Sequence, residues 1–497
     1  MTRLIAGRGE GTYAHTPMPP ALAKPPIVLL IASQLRCDVL GAYGDQQTHT
    51  PTLDALARVS SVFERHYTPC PLTGPTRASL WTGMEPALHG AVINGYLPGE
   101  RAFGQVREQA PLLPEVLARA GYRVVHVGTQ PVRREPSLER ACPGVEFIGP
   151  LSAAEHQKQL ESRGLFLGDR SVFRTPVVEH DRGRPVVLPA NSVHAAVFPL
   201  REELYLDRML AQSMVELIAS HAAKGPDAPP LALLGCFHLA HPPLWAPEDY
   251  ANLVKPRDVN LPPDVGAWHK GMPALQLLNP SGHLGVHATQ DQWRKAWAMY
   301  LGMVALLDRC LGEVLRAVER AGWMDRASVA FTSDFGQMMG SHGLYQGMCL
   351  YEPAVRVPMM LKLPRQRQGK RVASLTLHQD LTATLLDIAG APGYPHNRAH
   401  SLRSAADPTA PAVATRPHVC AAYDGNAGRG FHQRMIRNST HKLIHNVGDR
   451  PELYDLIEDP TESQNLAGDS GLADVQAQLA DDLARWMAEI KDPQPAP

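Results

Sequence analysis

The sequence lacks several features that would assign the protein to a specialised class. No apolar run reaches the length of a membrane span, and the first ten residues contain no signal-peptide-like apolar stretch. The seven cysteines are scattered without Cys-x-x-Cys spacing, which argues against a disulfide or zinc framework. A formal net charge of −1 over 497 residues favours neither nucleic acid nor a membrane surface as partner. We therefore expect a cytoplasmic protein with reduced thiols.

The composition is that of an ordinary globular chain, with 44% hydrophobic and 20% charged residues. Continuous apolar runs predict strands that are buried on both faces of a parallel sheet, at Pro26–Ala32, Pro230–Phe237 and Ser328–Asp334. Helical spacing at Leu206–Ala222 and Gln290–Ala321 predicts helices between them. The pattern therefore predicts an α/β protein with a mostly parallel sheet.

Four segments are predicted along the chain from composition and periodicity. They are an N-terminal leader at 1–24, a large α/β domain at 25–390, a linker with frequent Pro and Ala at 391–418, and a small antiparallel sheet with a final helix at 419–497. Within the large domain, residues 150–205 and 255–285 have no clear periodicity. We expect the first of these to cross the sheet edge or the pocket mouth and to determine substrate selectivity.

The stretch Thr68–Gly83 contains the first candidate for chemistry. Pro75 suits the first turn of a helix and Gly83 suits its C-terminal cap, which predicts a helix over about Pro75–Trp81 with Thr73 just before it. Unpaired N–H groups at a helix N-terminus favour an anion, so the Thr73 hydroxyl could face a charged ester there. The structural alternative is that Thr73 is only a helix cap.

Six ordered blocks occur between about Pro25 and Leu466. They are Ser33–Gly44, Thr73-x-Pro75-Thr76-Arg77 with Thr82-Gly83, His238–Pro247, Asp334-Phe335-Gly336, Gln346–Pro358 and Glu452–Leu466. Together these blocks resemble the sulfatase family of the alkaline phosphatase superfamily. The resemblance implies a large, mostly parallel sheet sandwiched by helices, followed by a small C-terminal α+β subdomain. It also places His241 at the position of the family's active-site histidine.

The resemblance fails at most of the positions that bind metal in the family. Ser33 and Gln34 stand in place of two acidic ligands, Phe335 replaces His or Asn, and Asp334 is the acidic ligand that remains. Ca²⁺ and Mg²⁺ need several oxygen ligands, and one carboxylate is too few. Thr73 stands where sulfatases convert Cys or Ser to formylglycine, and threonine is not a substrate for that modification. We therefore expect no metal in the usual place, no formylglycine and no cofactor.

The cationic residues that bind the anion in the family are also replaced, here by neutral residues. Thr129 and Pro131 stand at the positions of a Lys and a His, and Gln346 stands at the position of another Lys. Arg77 and His241 remain as cationic or basic groups. The resemblance thus predicts a neutral, hydrogen-bonding and partly apolar pocket. Its candidate substrate-binding residues are Ser33, Gln34, Thr129, Asp334 and Gln346.

Three functions remain open on these residues. The first is a catalytically silent homologue, or pseudoenzyme, that binds a small molecule. The second is a metal-independent hydrolase or transferase acting on a neutral or weakly charged substrate, with Thr73 as nucleophile or proton donor, His241 as general base and Arg77 polarising the substrate. The third is an active sulfate or phosphate ester hydrolase with Thr73 as nucleophile. His241 could also be structural, as a lone histidine in a loop often is. The sequence does not decide whether the protein forms a homo-oligomer.

The cysteines provide a further alternative for the nucleophile. Cys37, Cys70 and Cys349 lie near the same predicted loops. A reactive cysteine requires a thiolate, and therefore a lowered pKa and access to solvent. The state of these three thiols in the folded protein decides this alternative.

Overall fold

The computed structural model describes residues 24–269, 271–394, 398–410 and 416–497. The predicted leader, except for Lys24, and parts of the predicted linker at 395–397 and 411–415 lie outside the described residues. No helix within these ranges is both long and apolar enough to cross a bilayer.

The strands and helices are numbered in chain order. The strands are β1 Ile27–Ala32, β2 Ser61–Tyr67, β3 Gln105–Val106, β4 Arg123–Gly128, β5 Arg133–Arg134, β6 Val145–Ile148, β7 Arg174–Asp181, β8 Arg184–Asn191, β9 Ala195–Val197, β10 Leu231–Cys236, β11 Leu244–Ala246, β12 Ser328–Ser333, β13 Arg356–Val357, β14 Met359–Lys362, β15 Lys370–Leu377, β16 Val419–Gly425, β17 Arg429–Arg437, β18 His441–Asn446 and β19 Glu452–Asp455. The helices are α1 Pro51–Ala57, α2 Thr73–Thr82, α3 Pro86–His89, α4 Leu113–Arg119, α5 Leu138–Ala141, α6 Ala153–Glu161, α7 Leu206–Ala222, α8 Glu248–Ala251, α9 Leu275–Leu278, α10 Pro280–Gly285, α11 Gln290–Arg320, α12 Glu352–Val355, α13 His378–Ala389, α14 Arg403–Ala406 and α15 Ala473–Glu489.

The central sheet has the strand order β13-β2-β14-β12-β1-β10-β4-β6, and β15 pairs with β2. Strand β1 pairs in parallel with β10 and β12, β10 with β4, and β4 with β6. Strand β14 is antiparallel to both of its neighbours, β12 and β2, so β2 runs in the same direction as β12. The predicted α/β fold with a mostly parallel sheet is therefore confirmed.

Both faces of the sheet are covered, which explains the continuous apolar run of β1. Ile27, Leu29 and Ile31 pack on one side with residues of α2, α4 and α13. Val28 and Leu30 pack on the other side, where α7 and α11 contribute many of the buried residues. A strand buried on both faces has no polar positions to alternate, so its sequence is apolar throughout.

One helix boundary differs from the sequence prediction, and one segment forms strands that the sequence did not predict. Helix α2 begins at Thr73 and not at about Pro75, so Leu72 occupies the cap position and Thr73 is the first helical residue. Gly83 ends the helix in the left-handed region, as predicted, with φ of 65°. Residues 174–191, whose sequence has no clear periodicity, form the antiparallel hairpin β7–β8.

The C-terminal sheet has the order β16-β17-β18-β19, and α15 packs against it. A buried ion cluster joins it to the large domain. The Lys442 Nζ atom lies 3.1 Å from Glu352 Oε1 and 2.7 Å from Glu462 Oε1, and the Lys442 side chain is fully buried. Glu352 also accepts a hydrogen bond of 2.8 Å from the Tyr67 hydroxyl on β2. The cluster therefore ties strand β18 to the central sheet.

Replacing Lys442 with methionine tests this cluster. The substitution removes the cation of Glu462 and the nearer cation of Glu352, which also pairs with Arg437. Loss of one partner costs about 3–5 kcal/mol in comparable buried pairs. We expect Lys442→Met to lower the free energy of unfolding by that amount in urea denaturation. Lys158→Met, at an exposed position on α6, is the matched control and should unfold like the wild type. Equal stability of the two variants would contradict this role of Lys442.

Candidate functional site

A cavity of about 260 Å³ lies at the carboxyl ends of β1, β10 and β12. Ligands of open α/β sheets bind at this edge of the sheet. The start of α2, the hairpin β7–β8 and a loop of the C-terminal sheet complete the walls. The lining residues are Gln34, Pro71, Leu72, Thr73, Asn94, Tyr96, Arg174, Val177, Glu179, Leu188, Pro189, Ala190, Asn191, His241, Phe335, Gln346, Gly347, Met348, Asn426 and Ala427.

Asp334 lies beside this cavity and is fully buried. Its Oδ2 atom accepts hydrogen bonds from Ser33 Oγ at 2.9 Å and from Arg77 Nε at 3.3 Å. Its Oδ1 atom accepts from the backbone N–H groups of Gln34 at 2.9 Å and Phe335 at 2.8 Å. Ser33, Arg77 and Asp334 are buried and are not among the residues that line the cavity.

These residues do not fit a Ca²⁺ or Mg²⁺ ion. Both oxygens of Asp334 are already bonded to protein donors, and one of those donors is the Arg77 cation. The Gln34 Oε1 atom accepts a hydrogen bond of 2.8 Å from Gln337 Nε2, and Phe335 has no ligand atom. No group of three or more His, Cys, Asp or Glu residues that could hold a metal occurs in the described part of the chain. A hard dication needs several free oxygen ligands, and the residues around Asp334 do not offer them.

The N-terminus of α2 offers fewer free amides than the sequence suggests. The Gly74 N–H group donates to Asn94 Oδ1 at 3.0 Å, Pro75 has no N–H, and the Thr76 N–H donates to the Leu72 carbonyl. Thr73 is half-buried and lines the cavity. Asn94 therefore caps the start of α2, and fewer of its N–H groups are available to an anion than the sequence alone suggests.

His241 lies on the cavity wall in a defined tautomer. Its Nδ1 atom lies 2.5 Å from the Pro242 carbonyl oxygen, so Nδ1 carries the proton and Nε2 has a free lone pair. Burial lowers the pKa of His241, and the positive charge of Arg174 acts in the same direction. The imidazole is thus neutral near pH 7 and can accept a proton or a hydrogen bond.

The remaining predicted residues lie in two places. Gln346 lines the cavity, and its Nε2 atom donates 2.9 Å to the Asn191 carbonyl on the hairpin. Thr129 follows β4, where its N–H bonds the Cys236 carbonyl, and it is not among the lining residues. The structure therefore brings Gln34, Thr73, His241 and Gln346 together around one cavity. Their roles remain predictions.

Sequence reasoning missed the hairpin residues that line the cavity. Arg174 and Glu179 both lie on β7, and Glu179 is buried. A signal was present in Arg182-Gly183, whose φ angles of 50° and 76° make the tight turn between β7 and β8. A two-residue turn with positive φ at both positions is typical of β-hairpins. The many prolines of the flanking segments obscured that signal.

Asn94 and Asn426 are also lining residues that the sequence did not indicate. Asn94 Nδ2 donates 2.8 Å to Asn426 Oδ1, and Asn426 Nδ2 donates 2.8 Å to Glu179 Oε1. Burial raises the pKa of Glu179, although amides from the loop after β16 bond it. This relay connects the start of α2, the hairpin and the C-terminal sheet across one wall of the cavity.

The cysteine alternative is not supported by the structure. Cys37, Cys70 and Cys349 are all buried, and none lines the cavity. Burial raises the pKa of Cys37 to about 11 and raises the pKa of Cys70 and Cys349 as well. A buried thiol with a raised pKa is a poor nucleophile at neutral pH.

Comparison with solved structures shows the same fold in phosphonate monoester hydrolases. The enzyme of Agrobacterium radiobacter superposes with a TM-score of 0.75 at 23% identity, covering 94% of this chain and 96% of that chain. The enzyme of Silicibacter pomeroyi gives a TM-score of 0.77 at 22% identity, with the same coverage. At these identities the likeness concerns the fold alone.

Comparison with curated sequences gives relatives of similar length. A multifunctional alkaline phosphatase superfamily protein of Trinickia caryophylli is 25% identical over 519 residues, covering 94% of this chain and 96% of that protein. An arylsulfatase of Clostridium perfringens is 26% identical over 373 residues, covering 74% of this chain and 75% of that protein. The family model described as Sulfatase matches residues 25–391, and that of the N-sulphoglucosamine sulphohydrolase C-terminal region matches residues 340–489. Since the first match covers well over half of the chain, this protein belongs to the sulfatase family of the alkaline phosphatase superfamily.

Proposed function

We propose that this protein binds a small molecule in the sulfatase-type cavity and has lost metal-dependent hydrolysis of sulfate esters. The observation that carries this proposal is the state of Asp334. Its two oxygens are bonded to Ser33 Oγ, Arg77 Nε and two backbone amides, so the carboxylate that remains is committed to protein donors. The capped start of α2 supports the same conclusion, because it leaves few amides to stabilise a developing negative charge.

A second candidate function is a metal-independent hydrolase or transferase. It is favoured by the neutral His241, whose Nε2 lone pair is free and which shares the cavity with Thr73. In this mechanism His241 Nε2 takes the proton of the Thr73 hydroxyl as Thr73 Oγ1 attacks a carbonyl carbon of the substrate. The leaving group departs with that proton, and water or an acceptor molecule then takes the acyl group from Thr73. The third function, hydrolysis of a charged sulfate or phosphate ester by Thr73, has less support, because Arg77 pairs with Asp334 and does not reach the cavity lining.

The wider setting of the protein is also part of the proposal. We propose a cytoplasmic location, supported by seven cysteines that are all buried as free thiols in the described structure. We propose a small molecule as partner, and neither nucleic acid nor a membrane surface, because the net charge is close to zero. A homo-oligomer stays open.

The metal content of the purified protein is the most direct test. We expect far less than one equivalent of Ca, Mg, Mn or Zn per chain by elemental analysis. The reason is that Asp334 is the one acidic ligand that remains, and both of its oxygens already accept hydrogen bonds from protein groups. EDTA should leave the melting temperature unchanged, and 4-nitrophenyl sulfate should be hydrolysed at background rate. A stoichiometric metal whose removal lowers the melting temperature would sink the proposal.

Restoring the family's ligands tests the same idea from the opposite direction. We expect the combined variant Ser33→Asp, Gln34→Asp, Thr73→Cys and Phe335→Asn to bind Ca²⁺ in calorimetric titration, because it adds oxygen ligands beside Asp334. The matched control carries the same four changes plus Asp334→Asn and should bind Ca²⁺ much more weakly. A folded restored variant without Ca²⁺ binding would contradict this expectation and point to surrounding groups such as Gln337.

The second candidate function has its own test with 4-nitrophenyl acetate. If Thr73 and His241 form a catalytic pair, Thr73→Ala and His241→Ala should each lower kcat/KM by about 10²–10⁴-fold, and the double variant should lose little more. The pKa of His241 is lowered, so this base becomes protonated only at a pH below the ordinary histidine value of about 6.5. The activity should therefore be constant near neutral pH and fall at a more acidic pH. Thr289→Ala, at an exposed helix cap, is the control. Unchanged rates in both variants would remove this candidate.

A further inference from the structure

Two hairpin residues that face each other across β7 and β8 line the cavity. Arg174 begins β7 and Asn191 ends β8, and the two are direct partners in the antiparallel register. Side chains of directly opposite residues lie on the same face of the hairpin and are close neighbours. The pair therefore forms one polar unit at the open end of the hairpin, beside His241 and Gln346.

Arg174 supplies a positive charge that nothing in the described structure neutralises. Its side chain is exposed, it lines the cavity, and it makes no ion pair with a carboxylate of the described residues. Its charge acts on His241, whose pKa it helps to lower. A cation of this kind is available for an anionic group of a ligand, and a guanidinium binds such groups with two parallel hydrogen bonds.

Asn191 supplies a hydrogen-bond acceptor that has no partner. Its Nδ2 atom donates 3.1 Å to the Pro242 carbonyl, which fixes the orientation of the side-chain amide. Its Oδ1 atom is buried, and no hydrogen bond to it occurs in the described structure. Buried polar atoms are nearly always hydrogen-bonded in native proteins, so this acceptor in the cavity wall is available to a donor on the ligand.

The surroundings hold this pair in place. The Pro242 carbonyl receives both Asn191 Nδ2 and His241 Nδ1, and the Asn191 carbonyl receives Gln346 Nε2. Gln346 stands where the family has a cationic lysine, and here it anchors the hairpin by a neutral hydrogen bond. Positive charge is therefore provided by the hairpin and not by the strand ends.

We propose that Arg174 and Asn191 form the ligand-anchoring subsite of the cavity, which takes a small molecule that carries an anionic group next to an O–H or N–H donor. The anionic group binds the Arg174 guanidinium, and the adjacent donor binds Asn191 Oδ1. This inference rests on the proposed ligand-binding function and specifies the chemical class of the ligand. It also corrects the expectation of a neutral pocket, because Arg174 was not among the predicted residues.

Three related probes separate the two contacts. Mandelate has a carboxylate next to a hydroxyl, phenylacetate has the carboxylate alone, and methyl mandelate has the hydroxyl next to a neutral ester. Ligand-observed saturation-transfer NMR of the full chain gives a Kd for each. We expect mandelate to bind about tenfold more tightly than methyl mandelate and about fivefold more tightly than phenylacetate. Raising the salt from about 20 to about 300 mM should weaken mandelate binding, because the guanidinium is exposed.

Variants assign each preference to its residue. Arg174→Gln should remove the preference for mandelate over methyl mandelate, whereas Arg184→Gln, an exposed arginine at the start of β8 outside the cavity lining, should keep it. Asn191→Ala should remove the preference for mandelate over phenylacetate. The salt series on the wild-type chain tests the same charge without any substitution.

Each alternative outcome overturns the inference. Equal binding of mandelate and methyl mandelate, no binding of any probe, or an unchanged preference in a folded Arg174→Gln variant would show that the pair is not an anion subsite. The metal measurement uses none of these probes. If the protein is metal-free but the probes do not show the expected preferences, the subsite is ruled out and the proposed function stands. If the protein contains a stoichiometric metal, the proposed function itself is ruled out.

Discussion

The buried ion pair between Arg77 and Asp334 is the constraint on which the site depends. An unpaired charge in this interior would be very costly, so each group requires the other. Through Ser33 and Gln34 the Asp334 carboxylate holds the end of β1 against the end of β12, and through Arg77 it holds α2 against both. The backbone carbonyl of Asp334 also bonds His378 on α13. These groups thus join β1, β12, α2 and α13 beside the cavity.

The source of positive charge at the cavity follows from that constraint. Because Arg77 is paired with Asp334 beneath the cavity, it is not available to a ligand. Arg174 reaches the cavity from the hairpin, which is an insertion between sheet elements and not part of the sheet. Loops and insertions at the sheet edge can change without disturbing the core, so ligand preference can be rebuilt there.

The sequence predicted the sheet well because its signals are local. The apolar runs of β1, β10 and β12 and the spacing of α7 and α11 each describe a buried face, and the structure has those elements within one or two residues. The candidate site was only partly predictable. Gln34, Thr73, His241 and Gln346 lie in or next to elements and motifs that the sequence identifies, whereas Asn94, Glu179 and Asn426 come together only through contacts between distant segments. No local pattern records such contacts.

The strongest part of the family resemblance concerns packing and not chemistry. Within the segment Glu452–Leu466, Glu462 binds the buried Lys442, and Glu452 accepts hydrogen bonds from the Tyr351 and Tyr454 hydroxyls. These groups join the C-terminal sheet to the large domain, so they stabilise the fold independently of any reaction in the cavity. Membership of the family can therefore be read from the sequence, whereas the activity has to be argued from the site.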